Sequence, residues 1–340
     1  MRARFFCCRF TCFNDDEIYI IDLTDNEECG EMVRHLYKGT RSLSSLAVEK
    51  YMAHKDMKAQ LTDPTLIESL INEQADLNND WYEIENYQMK TKVIETRDDG
   101  LQVYTINDQE SNQKIIYYLH GGGWTFQPTE FHWRFLERLA QKTNSKVIVP
   151  LYPKHPNYNF EESYGKILPH FEAVMDTVNN SEDVTVMVDS SGGNMALGLA
   201  HHLCENKLAQ PKQYILISAC VDMHLDHPYI RYFEDKDKML SVENDQILTE
   251  KWANGEPLTN PYLSPLYGNF EDVAPIHHFI GTYDVLYPDS IKFDKKLTKN
   301  NIPIDTYVYP EMQHVFPILP VLEARHARKK MYELLLKDEE

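Results

Sequence analysis

Short uninterrupted apolar runs alternate along this chain with longer stretches whose apolar residues recur every three or four positions. The first pattern suits strands buried on both faces, and the second suits helices that bury one stripe. Strands are predicted at 101–106, 115–119, 146–149, 184–188, 214–218, 276–280 and 305–309. Helices are predicted between most of them, at 130–142, 160–178, 192–206, 287–299 and 320–337. Two more helical stretches, 42–58 and 65–79, precede the first strand, the second with Leu66, Leu70, Ile71 and Leu77 at helical spacing. Strands separated by helices imply an α/β protein with a mainly parallel central sheet and helices on both faces. In such a sheet, reactive side chains belong at the C-terminal ends of the strands.

Two of those ends carry glycine-rich signatures. His120-Gly121-Gly122-Gly123-Trp124 follows the run Ile115 to Leu119, and Asp189-Ser190-Ser191-Gly192-Gly193-Asn194 follows Val184 to Val188. A serine hydroxyl is a weak nucleophile until a sharp turn lifts it toward a histidine and backbone amides face the oxyanion that develops. Small residues permit such a turn, and glycines leave amides uncovered. Serine alone would read as a helix N-cap. The two signatures together point to Ser190 as nucleophile, and no lysine follows the elbow as a phosphate-binding loop requires.

These motifs resemble the hormone-sensitive-lipase-like branch of the α/β-hydrolases, whose elbow is usually Gly-Asp-Ser-Ala-Gly-Gly preceded by His-Gly-Gly-Gly. The family's acid segment is matched by Gly281-Thr282-Tyr283-Asp284-Val285-Leu286, and its base segment by His314-Val315-Phe316. The resemblance spans residues 100 to 335 and implies a triad of Ser190, Asp284 and His314. It implies an oxyanion hole formed from Gly121, Gly122, Gly123 and Ser191, with Gly121 shaping the loop, and supporting roles for His120, Asp189 and Gly192. Val188 stands where the family usually has glycine. A β-branched side chain there is expected to crowd the elbow, lowering activity or changing the acyl group accepted.

The resemblance also implies a helical cap. Residues 36–95 are expected to contribute helices to it, residues 222–260 form its second piece, and 96–340 make up the hydrolase core. Residues 1–35 read as a poorly ordered tail. The family's activity implies a serine carboxylesterase acting on short- to medium-chain acyl esters such as acetyl esters, with a small-molecule ester as its partner and no cofactor. A lactone or amide hydrolase, or a non-catalytic small-molecule receptor on the same fold, is the alternative.

Composition narrows the setting. The chain has 340 residues, and 53 acidic residues against 34 Lys and Arg give a net charge of −19. That balance repels nucleic-acid phosphates and argues against a nucleic-acid partner. No apolar run approaches the roughly 20 residues that span a bilayer, so no stable membrane insertion is expected. The N-terminal positive charge lacks a signal-length apolar core, which predicts a cytoplasmic location. Nothing in the pattern sets oligomeric state, leaving room for a homo-oligomer. The six cysteines form no disulfide framework, and Cys8, Cys12, Cys29 and His35 match no standard zinc spacing, so no metal site is predicted. Among rivals for the triad, His277 and His278 fall inside a strand, His201 and His202 on the nucleophile's helix, and Asp289 in a helix's first turn. Trp124, Phe126, Trp133, Tyr283 and Phe316 lie near the motifs and read as core aromatics before pocket linings.

Overall fold

The computed structural model describes residues 33–55, 58, 64–79, 81–110 and 112–337. Its strands are β1 (Val33–Leu36), β2 (Val93–Asp98), β3 (Leu101–Ile106), β4 (Ile115–Leu119), β5 (Lys146–Leu151), β6 (Val184–Asp189), β7 (Gln213–Ile217), β8 (Ile276–Tyr283) and β9 (Ile304–Gln313). They form one sheet in the order β1-β9-β8-β7-β6-β4-β5-β3-β2. Only β3 runs against its neighbours, pairing antiparallel with β2 and β5. The mainly parallel α/β-hydrolase sheet read from the sequence is therefore the observed one.

The helices among the described residues are α1 (Leu43–His54), α2 (Pro64–Asn79), α3 (Glu130–Thr143), α4 (Phe160–Met175), α5 (Ser191–Glu205), α6 (Ile230–Lys236), α7 (Val242–Ala253), α8 (Tyr287–Lys299) and α9 (Leu322–Leu336). Strand side chains alternate between two cores. Tyr117, Val186, Val188 and Leu216 enter one, with Ile167 and Phe171 of α4 and Leu199 of α5. Ile116, Tyr118, Met187 and Ile215 enter the other, with Leu136 of α3 and Met331 of α9. Both faces of the central strands are thus apolar, which is why their sequences read as unbroken runs.

Two edge strands escaped the sequence reading. β1 holds the residues assigned to the end of a tail, yet Val33 to Leu36 pair in parallel with Asp305 to Val308. The sequence Val-Arg-His-Leu is too short and polar to signal a strand, and its partner, not its composition, makes it one. β2, Val-Ile-Glu-Thr-Arg-Asp, is similarly polar and hairpins onto β3. The stretch 222–260, expected as the second piece of the cap, contains α6 and α7. The two N-terminal helices part company. α2 places Ile67 and Ile71 against Leu248 of α7, whereas Ser42, the N-cap of α1, donates through Oγ to Glu323 Oε2 of α9 at 2.8 Å. Cys8, Cys12 and Cys29 lie outside the described residues, and His35 stacks on Tyr307.

Candidate active site

β6 ends at Asp189, and the chain turns through Ser190 directly into α5. Ser190 sits at φ 52° and ψ −122°, a region that L-residues rarely occupy and that costs of order 1–3 kcal/mol. Three backbone bonds hold it there: Ser190 N–H to Ile217 O at 2.9 Å, and Gly193 and Cys220 N–H to Ser190 O at 2.9 and 3.1 Å. The turn passes so close to β4 that a Cβ on Gly192 would collide with the Leu119 carbonyl, so only glycine fits. Val188 causes no such collision. It continues the ladder opposite Leu119 and Leu216 and is buried in the core.

His314 Nε2 lies 2.9 Å from Ser190 Oγ, and its Nδ1 lies 3.0 Å from Asp284 Oδ2. Residues 124 positions apart therefore meet in one hydrogen-bonded chain. Asp284 and His314 are buried, while Ser190 keeps partial exposure. Asp284 follows β8, and its Oδ1 also accepts the Leu286 amide at 2.9 Å. His314 follows β9, and the Val315 amide beside it donates to Ser218 Oγ at 3.1 Å. With Nδ1–H directed at Asp284, Nε2 is left to accept the serine proton.

A second carboxylate, which the sequence reading missed, underlies this chain. Asp237 is fully buried at the end of α6; its Oδ1 accepts the Met239 and Leu240 amides, and its Oδ2 accepts the Val285 amide at 2.9 Å. Burial and the nearby Asp284 raise its pKa to about 6. Burial alone would lower the pKa of His314, but Asp284, Asp237 and Asp245 outweigh it and raise the imidazole to about 9. Only a buried aspartate's amide contacts could have revealed Asp237, and these are invisible in a linear pattern.

The His-Gly-Gly-Gly loop crosses beside Ser190, with Gly122 at φ +118° and Gly123 at φ +57°. A Cβ on Gly122 would lie 2.7 Å from Phe126 O. Gly121 differs from its neighbours because its amide is already given to Asp189 Oδ1 at 3.0 Å. That removes Gly121 from the amides available to an oxyanion and leaves it a shaping role. Asp189 also accepts from Tyr118 Oη at 2.6 Å and from His132 Nε2 at 3.2 Å. Burial would raise its pKa, but His132, Tyr118 and the Gly121 amide together hold it below the usual carboxylate value. His120 donates from Nδ1 to Gly121 O at 2.6 Å and stacks on Tyr152, and burial first, then Lys154, keeps it neutral. It shapes the loop and touches no reacting atom.

The rival residues lie elsewhere. His278 bonds Asp294 within the core, His277 faces Asp305 across the strands, and His202 meets the Tyr262 hydroxyl. Asp289 is buried in α8, where its electrostatic partners are Asp222, Lys292 and Asp226. Trp133 packs with Tyr82 and Tyr104 on the far core, whereas Trp124 stacks on Trp252 of α7 above the loop. Among the described residues, no group of three or more His, Cys, Asp or Glu could hold a metal, and no helix is long and apolar enough to cross a membrane.

Comparison with known proteins bears on the fold and the family. A family model for the alpha/beta hydrolase fold matches residues 116–318. An esterase of Acinetobacter venetianus is 26% identical over 222 residues, 64% of this chain and 72% of its own. A candidate esterase structure from Staphylococcus aureus superposes with a TM-score of 0.80 at 29% identity, covering 86% of this chain and 99% of that one. A hormone-sensitive lipase structure from a metagenome library superposes with a TM-score of 0.73 at 18% identity over 86% of this chain and 97% of its own, a likeness of fold. With the fold, the paired glycine signatures and the family model in agreement, this chain belongs to the α/β-hydrolase family.

Proposed function

We propose that this carboxylic ester hydrolase cleaves short- to medium-chain acyl esters, acetyl esters among them, through an acyl-enzyme on Ser190. The observation that carries the reading is the continuous chain from Ser190 Oγ through His314 to Asp284 Oδ2, with bonds of 2.9 and 3.0 Å. Neutral His314 takes the serine proton as Oγ attacks the ester carbonyl, and Asp284 fixes the tautomer and stabilises the imidazolium. The amides of Gly122, Gly123 and Ser191 receive the oxyanion. His314 then returns its proton to the leaving alcohol, and water admitted to the acyl-enzyme repeats the cycle in reverse.

The test is a fluorophosphonate probe together with p-nitrophenyl esters of rising acyl length. Labelling and turnover of the short esters, both abolished in Ser190→Ala and turnover abolished in His314→Ala, are expected. A folded wild-type protein that never labels would overturn the proposal and favour a ligand-binding role.

A further inference from the structure

Helix α7 crosses the oxyanion loop, with Trp252 stacked on Trp124 at 6.2 Å and Leu248 next to Gly123. Asn244, Leu248 and Trp252 are spaced four residues apart, so one stripe of α7 faces that loop. Asn244 is only 2% exposed, and neither its Nδ2 nor its Oδ1 has a hydrogen-bond partner. A buried amide that leaves both its donor and its acceptor unpaired is costly and rare in a folded protein.

The unmet polarity continues beside it. Asp245 Oδ2 is sealed from solvent without a partner, and the Asp245 carboxylate lies within electrostatic reach of both His314 and Cys220. Cys220 in turn feels Asp222 and Asp289, and its amide bonds the carbonyl of Ser190. Asp289, on α8, is 2% exposed and also has an unpartnered Oδ2. Asp222 is different, since His224 Nδ1 lies 2.6 Å from it and Lys292 3.7 Å away. The buried Asn244 and Asp289 and the half-buried Asp245 therefore carry, on two helices, hydrogen-bonding capacity that the protein does not use. Two of the three are acids, so a cation fits what a neutral group would leave unmatched.

We propose that the ester substrate carries an ammonium-type cation, received by Asp245 as counter-ion with Asn244 as its polar companion and Asp289 behind them. This rests on the reading of Ser190 as the esterolytic nucleophile and adds a substrate class to it. Burial first, and then neighbouring carboxylates, raise Asp245 and Asp289 to about 7, the state that an arriving cation would relieve. A charged hydrogen bond of this kind changes affinity by roughly tenfold to a hundredfold.

The experiment compares two matched pairs. On the acyl side ethyl 6-aminohexanoate is set against ethyl heptanoate, and on the alcohol side protonated 3-(dimethylamino)propyl acetate against 4-methylpentyl acetate, with kcat/KM taken by pH-stat. Calorimetry with hexylammonium is run in parallel. In one pair the cation should be preferred by about tenfold or more, and the ratio should fall close to one in Asp245→Asn and decline in Asp289→Asn, which sits on another helix. Equal turnover of cationic and neutral esters, or a preference that survives both variants, overturns the inference and leaves the esterase reading standing. Hexylammonium binding that depends on Asp245, in a protein that hydrolyses no ester, keeps the inference and overturns the esterase reading. A protein that neither binds the amine nor hydrolyses an ester overturns both.

Discussion

Replacing Asp237 with asparagine separates two effects of one buried carboxylate. Asparagine keeps an acceptor for the Met239 and Leu240 amides but turns an NH2 toward the Val285 amide, which now donates to Asp237 Oδ2. Two donors then face each other without water, at a cost of roughly 1–3 kcal/mol. In a domain of this size that lowers the melting temperature by several degrees. The second effect is electrostatic. His314 is held at about 9 because Asp284, Asp237 and Asp245 together outweigh its desolvation. Asp237, itself raised only to about 6, is ionised where His314 titrates.

General-base catalysis needs the neutral imidazole, so kcat/KM should rise with pH through the folded pKa of His314. With that pKa raised above the ordinary imidazole value, the neutral base is the minor form of the free enzyme at pH 7. Removing the Asp237 charge favours the neutral form and moves the acid limb to lower pH, while the disturbed Asp284 loop lowers the plateau. The assay is kcat/KM for a simple ethyl ester between about pH 6 and 10 by pH-stat, beside a thermal melt. A lower melting temperature with an unmoved acid limb would show that Asp237 holds the loop and has no electrical part in His314's behaviour. A limb displaced upward would refute the charge argument outright.

Other perturbations reach the elbow and the oxyanion loop. Gly192→Ala places a methyl group against the Leu119 carbonyl, a backbone atom fixed within the sheet, and should cost at least about 1–3 kcal/mol. Thermal denaturation checks it, and an unchanged melting temperature would show that the elbow can shift. His132→Ala removes one of the three partners of Asp189, which in turn holds the Gly121 amide. Steady-state kinetics should then show kcat reduced by roughly tenfold with KM little changed, and His132→Gln should restore much of it. A change in KM alone would assign His132 to substrate binding.

How much of this was legible beforehand follows from the range of the forces involved. Strands β4, β6 and β7 are apolar on both faces because helices cover both, so burial writes itself into consecutive residues. β1 and β2 were missed because an edge strand is specified by its partner, as Val33 to Leu36 are by β9. The bounds of helices α6 and α7 within the expected cap piece were not legible because most of their charged residues face outward and only a few residues, such as Phe233 and Trp252, are buried. The residues around Ser190 were accessible through motif order, since glycines and a nucleophile must be contiguous to make a turn. Asp237, Asn244 and Asp245 had no such signal. Their importance lies in which buried atoms they meet or fail to meet, and no local spacing encodes that.

Val188 shows where the constraint on the elbow resides. The sequence reading placed strain at this valine because a glycine is usual there. Instead the β6 ladder passes through Val188 unbroken, and its side chain enters the same core as Val186 and Leu216. Positive φ first appears two residues later, at Ser190. The side of the turn that leaves no room is the other one, where Gly192 passes the Leu119 carbonyl. A β-branched residue is well suited to the last pairs of a buried strand, and it stiffens the segment that must hold a strained serine in place. The usual glycine is therefore one solution to this position. The tight approach of α5 to β4 is what the turn demands, and this chain meets it with Gly192.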